Sequence, residues 1–257
     1  MLPDPAVSIG AITAALNTSF ETVRLYILPQ MSTDAELAFA LLQDDRIYQW
    51  ISMNKPTSVE SLRAHWKRAE ARVSPNGNET WLAWFISIKA DGRPIVSIDA
   101  CIDHQLMGGK RTVTNFGYYF FAETWGQGYA NEVVKVMADT LMAQGVQKII
   151  ATVTAGNAAS VRVLQKADFR FTRIIPDNDT LNGVLVDDEE YVRTETVSRE
   201  LLSDIFGFKR QTQNLRSTQP KLNHAPSKPP AQSLTGTLDC ITVGYAICSQ
   251  RADFAFH

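Results

Sequence analysis

The hydrophobic period of the chain changes abruptly across a short turn that contains two glycines. Residues 112–121 are rich in aromatic and β-branched side chains, which is typical of a strand. Beyond the turn, apolar residues recur at helical spacing on one face, formed by Ala130, Val133, Val134, Met137 and Leu141. The junction reads Trp125-Gly126-Gln127-Gly128-Tyr129-Ala130-Asn131. A strand that leads through such a turn into an amphipathic helix predicts a sheet packed against helices.

The glycine-rich turn is a candidate site for a phosphate group. Gly126 and Gly128 lack side chains, so the backbone amides around them can crowd together and point outward. The helix that follows adds the partial positive charge of its N-terminus. A plain strand-to-helix turn is the alternative interpretation. The dinucleotide-binding fingerprint is excluded because its third glycine is missing. Gly108-Gly109-Lys110 is not a phosphate-binding loop either, because it lies between two strand patterns and opens no helix.

Further strands and helices are expected on both sides of this segment. Thr33 with Glu36, and Thr57 with Glu60, have the spacing of a capping box, and Asn157 is placed to cap a later helix. Leu37, Leu41 and Leu42 are expected to form the apolar stripe of the first of these helices. Strands are expected in residues 23–28, 81–88, 95–102, 112–121, 148–153, 169–172 and 185–196.

Composition divides the chain into three parts. Residues 1–20 have no strong period and are expected to form a loose leader, whereas residues 21–197 carry the strand and helix patterns. Residues 198–257 are expected to be a largely disordered or weakly ordered tail, since no acidic residue occurs between Ile205 and Leu238 and prolines recur. Within that tail, residues 236–248 could form one strand pair, with no packing partner indicated.

Charge and cysteine content exclude several classes of protein. The chain has 25 Lys and Arg against 27 Asp and Glu, so no general attraction to nucleic acid or to a membrane surface is expected. Three cysteines are too few for a disulfide scaffold and lack metal-ligand spacing, so no metal is expected. No apolar run reaches the roughly 18–20 residues of a membrane span. Because the first basic residue is Arg24, no secretory signal is predicted, and a cytoplasmic protein is expected.

The order of the parts resembles the GNAT superfamily of acyl-CoA N-acyltransferases. The similarity rests on the glycine-rich turn, on Asn157-Ala158-Ala159-Ser160 and on Leu164-Gln165-Lys166-Ala167-Asp168-Phe169. The similarity is strongest over residues 115–173 and weaker over residues 23–103. The branch that the chain resembles most is that of the ribosomal-protein N-terminal acetyltransferases (RimJ/RimL-like). The resemblance implies an α/β (α+β) fold, with a mixed, mostly antiparallel sheet of six or seven strands flanked by about four helices. Such a sheet is splayed at the cofactor cleft.

The resemblance also implies where acetyl-CoA, as co-substrate, would bind. The family's turn motif falls on Trp125, Gly128 and Ala130, with Trp125 in place of the usual Gln or Arg. The residues implied to cradle the pyrophosphate of coenzyme A are Trp125, Gly126, Gln127, Gly128, Tyr129, Ala130 and Asn131. The strand that ends at Phe120 and Phe121 would pair with the pantetheine arm. Asn157 would hydrogen-bond the pantetheine region and Ser160 would lie near the sulfur, although from the residues alone Asn157 is a helix cap and Ser160 a first-turn residue.

Acetyl transfer requires a polarised carbonyl, a donor for the departing thiolate and a base for the amine. A backbone amide near Phe120 would polarise the carbonyl. Ser160 is the expected thiolate donor, with Tyr118 or Tyr119 as the alternative. The branch often has a glutamate where this chain has Asn115, which cannot ionise, so the general base is not identified. Asp103, Glu123 or a chain of water molecules could serve.

We expect an N-acetyltransferase that acts on a primary amine. A terminal α-amine, with a pKa near 8, is roughly a tenth neutral at pH 7, whereas a lysine near 10.4 is far less so. A protein or peptide N-terminus is therefore favoured as acceptor, followed by a small-molecule amine. Asn115 keeps open a catalytically idle acyl-CoA sensor, and the basic tail keeps open an interaction module on the same scaffold. The chain is expected to act as a monomer or a homodimer.

Overall fold

A mixed sheet runs through the computed structural model, which describes residues 9–75, 77, 79–103, 113–194 and 242–243. Eight strands lie in the order β1-β2-β3-β4-β5-β6-β8-β7, and the short β9 pairs with β5. The strands are β1 (Phe20–Glu21), β2 (Leu25–Pro29), β3 (Glu79–Ile88), β4 (Pro94–Asp103), β5 (Val113–Phe120), β6 (Lys148–Thr154), β7 (Arg170–Leu181), β8 (Val184–Thr194) and β9 (Thr242–Val243). Neighbouring strands are antiparallel except β5 and β6, which are parallel.

Helices cover both faces of this sheet. They are α1 (Ile9–Leu16), α2 (Ala35–Phe39), α3 (Val59–Ala69), α4 (Tyr129–Ala143) and α5 (Ala158–Lys166). The larger apolar core includes side chains of α1, α4 and α5 together with Phe116, Tyr118 and Phe120 of β5. A smaller core on the other face includes side chains of α2 and α3 together with Tyr119 of β5 and Phe121, which follows it. Because side chains alternate along a strand, β5 contributes to both cores.

Strands β5 and β6 separate after only three paired positions. Val113, Thr114 and Asn115 pair with Lys148, Ile149 and Ile150. Beyond Asn115, β5 continues beside β4 to Phe120, and β6 continues beside β8 to Thr154. The edge of β5 that faces away from β4 is thereby open to another extended chain. Strand β9 pairs with it at Tyr118 and Tyr119.

The fold expected from the resemblance is confirmed, with two more strands and one more helix than its upper numbers. The seven longer strands match the seven expected segments, and the additional strands are β1 and β9, of two residues each. The loose leader is wrong for residues 9–16, which form α1. Ile12 and Leu16 are buried in the larger core, and the carbonyl of Leu16 accepts a hydrogen bond from Trp84 Nε1 at 3.2 Å. The helix is apolar on several sides, so the sequence shows no clear period there.

The two predicted capping boxes are displaced in the structure. Helix α3 is capped by Ser58, whose hydroxyl accepts from the Ser61 amide at 3.0 Å, one residue later than predicted. Helix α2 is one short turn that continues as a 3-10 turn, so its buried positions are Ala35, Ala38 and Leu42. Leu37, expected on the apolar stripe, is therefore exposed. No helix within the described ranges is long and apolar enough to cross a membrane.

The remaining domain limits stay predictions. Residues 195–241 and 244–257, which make up most of the predicted tail, lie outside the described residues. Of the strand pair expected in residues 236–248, the structure describes β9 alone. The strand predicted at residues 169–172 is the start of β7, which is much longer and forms a hairpin with β8.

Candidate active site

The glycine-rich turn leads directly into α4 and has a backbone that favours glycine. Gly126 has a φ of +74° and Gly128 a φ of +79°, both in the left-handed region. Gly128 occupies the N-cap position of α4 and has no side chain with which to cap the helix. The first backbone amides of α4 are therefore left for another acceptor. A Cβ atom built on Gly128 would meet only Arg24 Nη2, at 3.9 Å, so the approach to the turn is open.

Arg24, which the sequence analysis did not single out, braces this turn from the start of β2. Its guanidinium donates to Glu132 Oε2 at 2.7 Å and to the Gln127 carbonyl at 3.3 Å. It also lies 4.4 Å from the centre of the Tyr129 ring. The residue stands about 100 positions before the turn in the chain, so no local pattern could have revealed the contact. It brings a positive charge beside amides that already favour an anion.

Trp125 joins the end of β5 to the turn. Its side chain is buried in the larger core, and its Nε1 atom donates to the Phe120 carbonyl at 2.9 Å. The Phe121 amide donates to the Ile95 carbonyl at 2.9 Å. Since hydrogen bonding alternates along antiparallel strands, the Phe120 amide then points away from β4 and towards the open edge. Of the two phenylalanines expected at the cofactor arm, Phe120 thus has the amide that faces this edge.

The structure brings Ser160 and Tyr118 together. Both are fully buried, and the Ser160 hydroxyl is close enough to the phenol to lower the pKa of Tyr118 against the larger effect of burial, which raises it. Tyr118 Oη has no partner of good hydrogen-bond geometry among the described residues. Asn157 Oδ1 accepts from the Ser160 amide at 3.1 Å, which confirms the predicted helix cap. Tyr119, the other alternative donor, belongs to the opposite face of the sheet.

Asn115 and the two carboxyl groups considered as the base lie in different parts of the structure. Asn115 is paired with Cys101 on the face that carries Tyr119. Asp103 is paired with Glu79 at the far end of β4, and its side chain is outside the described part of the structure. Glu123 is exposed on the 3-10 turn after β5. Within the described ranges, no three His, Cys, Asp or Glu side chains form a group that could hold a metal ion.

Asp99, which the sequence analysis did not identify, places a carboxyl group on the face of the sheet that carries Asn115 and Tyr119. It lies in the middle of β4, between Ala83 of β3 and Gly117 of β5. Its Oδ1 atom is shielded from solvent, and burial raises its pKa to about 7. The signal in the sequence is an aspartate within a mostly apolar strand, Ile95 to Ile102. The neighbours that matter come from other strands, and the sequence alone does not give their register.

Comparison with known proteins decides the family. A family model described as "Acetyltransferase (GNAT) domain" matches residues 24–170, more than half of the chain. The chain belongs to the GNAT acetyltransferase family. Among curated proteins, it is 25% identical over 172 residues to the uncharacterized N-acetyltransferase YoaA of Bacillus subtilis (strain 168), covering 66% of this chain and 93% of YoaA. This GNAT protein is accordingly an acyltransferase that uses acetyl-CoA as co-substrate.

Two solved structures have the same fold. RimL, a ribosomal L7/L12 alpha-N-protein acetyltransferase solved with coenzyme A, has a TM-score of 0.59 and 16% identity, covering 67% of this chain and 95% of RimL. The microcin C7 self-immunity acetyltransferase MccE, solved with acetyl-CoA and AMP, has a TM-score of 0.58 and 15% identity. That match covers 75% of this chain and all of MccE. At these identities the likeness establishes the fold of the GNAT domain.

Proposed function

We propose that this GNAT protein transfers the acetyl group of acetyl-CoA to the α-amino group of a peptide or protein N-terminus. The observation that carries the proposal is the alignment of three features along β5. The glycine-rich turn lies beyond its end, the open edge runs along its second half, and the buried Ser160 and Tyr118 pair lies beside that edge. A diphosphate, an extended arm and a thioester follow one another in acetyl-CoA in the same order.

Each part of the cofactor has a matching group in this proposal. The backbone amides at the start of α4 donate hydrogen bonds to the diphosphate, with Arg24 adding positive charge beside it. The pantetheine arm pairs with the edge of β5 near Tyr118 and Phe120, where β6 has already diverged. Backbone groups serve both contacts, because a diphosphate and an amide-containing arm are recognised through hydrogen bonds that any main chain can make.

The chemistry of transfer uses the groups at the centre of the open edge. The acceptor nitrogen attacks the thioester carbonyl, and the Phe120 amide stabilises the negative charge that develops on the oxygen. The departing thiolate takes a proton from Ser160, with Tyr118 beside it. A thiol with a pKa near 8.5 needs a donor here rather than a strong acid.

The acceptor is expected on the face covered by α2 and α3. The surface of α2 and α3, which would form one wall of the acceptor cleft, carries charges of both signs that pair with each other. Examples are Arg63 with Glu36 at 2.7 Å and Lys67 with Glu70 at 2.6 Å. A wall of this kind does not select a strongly cationic molecule such as a polyamine. The α-amine is favoured because a far larger fraction of it is neutral at pH 7 than of a lysine. The fold shared with RimL, which is described as an alpha-N-protein acetyltransferase, supports the same choice.

An amine panel with detection of released thiol tests the proposal. The panel contains peptides with a free N-terminus and no lysine, the same peptides N-acetylated with one internal lysine, and small primary amines. We expect kcat/KM for the free N-terminus to exceed that for the lysine peptide by roughly tenfold or more. Transfer to lysine or to small amines alone contradicts the α-amine assignment. Binding of acetyl-CoA without transfer to any amine favours the sensor instead.

A further inference from the structure

The centre of β4 carries a carboxyl group, that of Asp99, with one oxygen shielded from solvent. Asp99 stands directly opposite Ala83 and Gly117, two neighbours with little or no side chain to cover it. Its Oδ1 atom is shielded from solvent and has no hydrogen-bond partner within the described part of the structure. Burying a carboxylate in this way opposes folding. Such a residue in the middle of a sheet therefore indicates a functional role.

We propose that Asp99 is the catalytic base, which takes the proton of the acceptor amine as its nitrogen attacks the thioester. This inference rests on the proposed function, because it assigns a role within the same reaction. Asp99 pairs with Gly117, which precedes Tyr118 by one residue and Phe120 by three along the open strand. These offsets correspond to about 3 and 10 Å. Since Gly117 has no side chain, an amine at the open edge can be reached directly or through one water molecule.

The proposed base and the proposed acid lie on opposite faces of the sheet. Asp99 shares its face with Tyr119, on the side of the smaller core. Tyr118, and Ser160 close to it, lie on the side of the larger core. The amine can then lose its proton on one side of the open edge while the thiolate gains one on the other. Asn115 lies diagonally beside Asp99 and can orient the amine, although its amide cannot accept the proton.

Several titratable side chains lie on the same side of the sheet as Asp99. Burial alone raises the pKa of Asp99 to about 7. Burial, with a further contribution from Asp99, raises the pKa of Tyr119, and burial also raises that of Tyr48. On α3, burial and Arg68 lower the pKa of His65 to about 4. Cys101 and Asp103, two and four residues along β4, occupy positions on the same face of the strand.

The step balances without any further reactant. The neutral amine nitrogen forms a bond to the carbonyl carbon, and its extra proton passes to the Asp99 carboxylate. The carbon–sulfur bond then breaks, and the thiolate takes a proton from Ser160. A proton returns from Asp99 to Ser160 through solvent, which restores both groups. The products are the N-acetyl amide and coenzyme A with a free thiol.

A base of this strength also favours one class of amine. An α-ammonium group with a pKa near 8 lies about one unit above Asp99, whereas a lysine at 10.4 lies more than three units above it. Near the pH at which Asp99 becomes ionised, the neutral amine that attacks the thioester is therefore far more abundant for an N-terminus than for a lysine. The carboxylate consequently supports an N-terminal acceptor and partly offsets the absence of a carboxyl group at Asn115.

The test compares Asp99→Asn and Asp99→Ala with the wild-type protein in single-turnover acetyl transfer across pH. The acceptor is trifluoroethylamine, a weakly basic amine that stays mostly neutral around pH 7. Its own titration therefore does not produce the acid limb, which is the part of the pH–rate profile where the rate rises with pH. We expect the wild-type rate to rise with an apparent pKa near 7 and both variants to lose that limb. The rate at high pH falls roughly 100-fold in the variants. The Kd for acetyl-CoA, measured by calorimetry, stays within about threefold.

Asp168→Asn is the matched control, because Asp168 is exposed, has a φ of +65° that Asn also tolerates, and lies on the surface beside Lys135. Rates and an acid limb that persist in both Asp99 variants overturn the assignment of Asp99 and leave the proposed function standing. A lower rate with the acid limb retained overturns it too, since that result describes a structural role. No transfer by the wild-type protein to any amine overturns the proposed function and this inference with it.

Discussion

The two sides of strand β5 contribute different kinds of chemical group to the proposed site. On the cofactor side, the groups that meet acetyl-CoA in our proposal are mainly backbone amides from one continuous stretch, residues 113–160. On the acceptor side, they are side chains such as Asp99 and Asn115, brought together from separate strands on the side of the sheet that carries α2 and α3. A constant ligand can be recognised by main-chain geometry, which depends on glycines and strand spacing. A variable acceptor requires side chains, which can change without disturbing the sheet.

This difference predicts how each side responds to substitution. Changes on the cofactor side alter binding through backbone conformation, charge and access. Changes to the groups that move protons, Asp99 on the acceptor side and Ser160 on the cofactor side, leave cofactor binding intact and alter the rate or its pH dependence. Measuring the Kd for acetyl-CoA and the single-turnover rate separately therefore distinguishes residues that bind the cofactor from residues that transfer protons.

Gly128→Glu is expected to have the largest effect, a loss of acetyl-CoA affinity of roughly 100-fold or more. Gly128 has a φ of +79° and lies at the N-terminus of α4, so a glutamate adds both strain and negative charge where the diphosphate would bind. Titration calorimetry with acetyl-CoA measures the effect. Gly183→Glu is the matched control, because Gly183 has a φ of +80° and open space around it in the β7–β8 turn. Equal affinity in the two variants contradicts the assignment of the turn.

Ser160→Ala is expected to reduce the single-turnover rate about tenfold or more while the Kd for acetyl-CoA changes only a few-fold. The hydroxyl is fully buried beside Tyr118, so its loss removes the proposed proton donor without opening the turn. Ser87→Ala, another buried serine in β3, controls for the loss of a hydroxyl. A rate close to that of the wild-type protein removes Ser160 from the mechanism. In that case Tyr118→Phe becomes the variant to measure.

The same difference explains how much of the site the sequence could reveal. The turn, α4 and the Asn157 cap were predictable because their signals are local: two glycines, a helical period and a capping residue. Asp99 was not predictable, because its significance depends on Ala83 and Gly117 lying opposite it. The register of neighbouring strands cannot be deduced from the sequence of any one segment. Contacts between residues far apart in the chain, such as Arg24 with the turn, were missed for the same reason.

Removing residues 198–257 is expected to tighten acetyl-CoA binding by roughly 3–10-fold. Strand β9 pairs with β5 at Tyr118 and Tyr119, on the edge that we assign to the pantetheine arm, so the two compete. Thr242→Pro in the full chain removes a backbone donor from β9 and is expected to act in the same direction. Ser217→Pro, elsewhere in the tail, is the control. Equal affinity of the truncated and full-length proteins contradicts competition at this edge.

The last expected effect is on stability rather than on binding or rate. Because burial raises the pKa of Asp99 to about 7, the folded protein binds more protons than the unfolded chain between about pH 4 and pH 7. The contribution of this group to stability is therefore present at low pH and is lost as the pH rises through 7. Asp99→Asn removes that loss. The difference in free energy of unfolding between the variant and the wild-type protein should therefore increase, in favour of the variant, by roughly 2–3 kcal/mol from about pH 5 to pH 8.

Urea unfolding at several pH values measures this difference, with Asp168→Asn as the control for replacing an exposed carboxyl group. A difference between Asp99→Asn and the wild-type protein that does not change with pH means that the carboxyl group keeps an ordinary pKa in the folded state. Asp99 would then be ionised throughout the neutral range and could not produce an acid limb near pH 7. A rising difference, together with a slower reaction, means that the sheet tolerates a destabilising carboxyl group on the acceptor side because catalysis requires it.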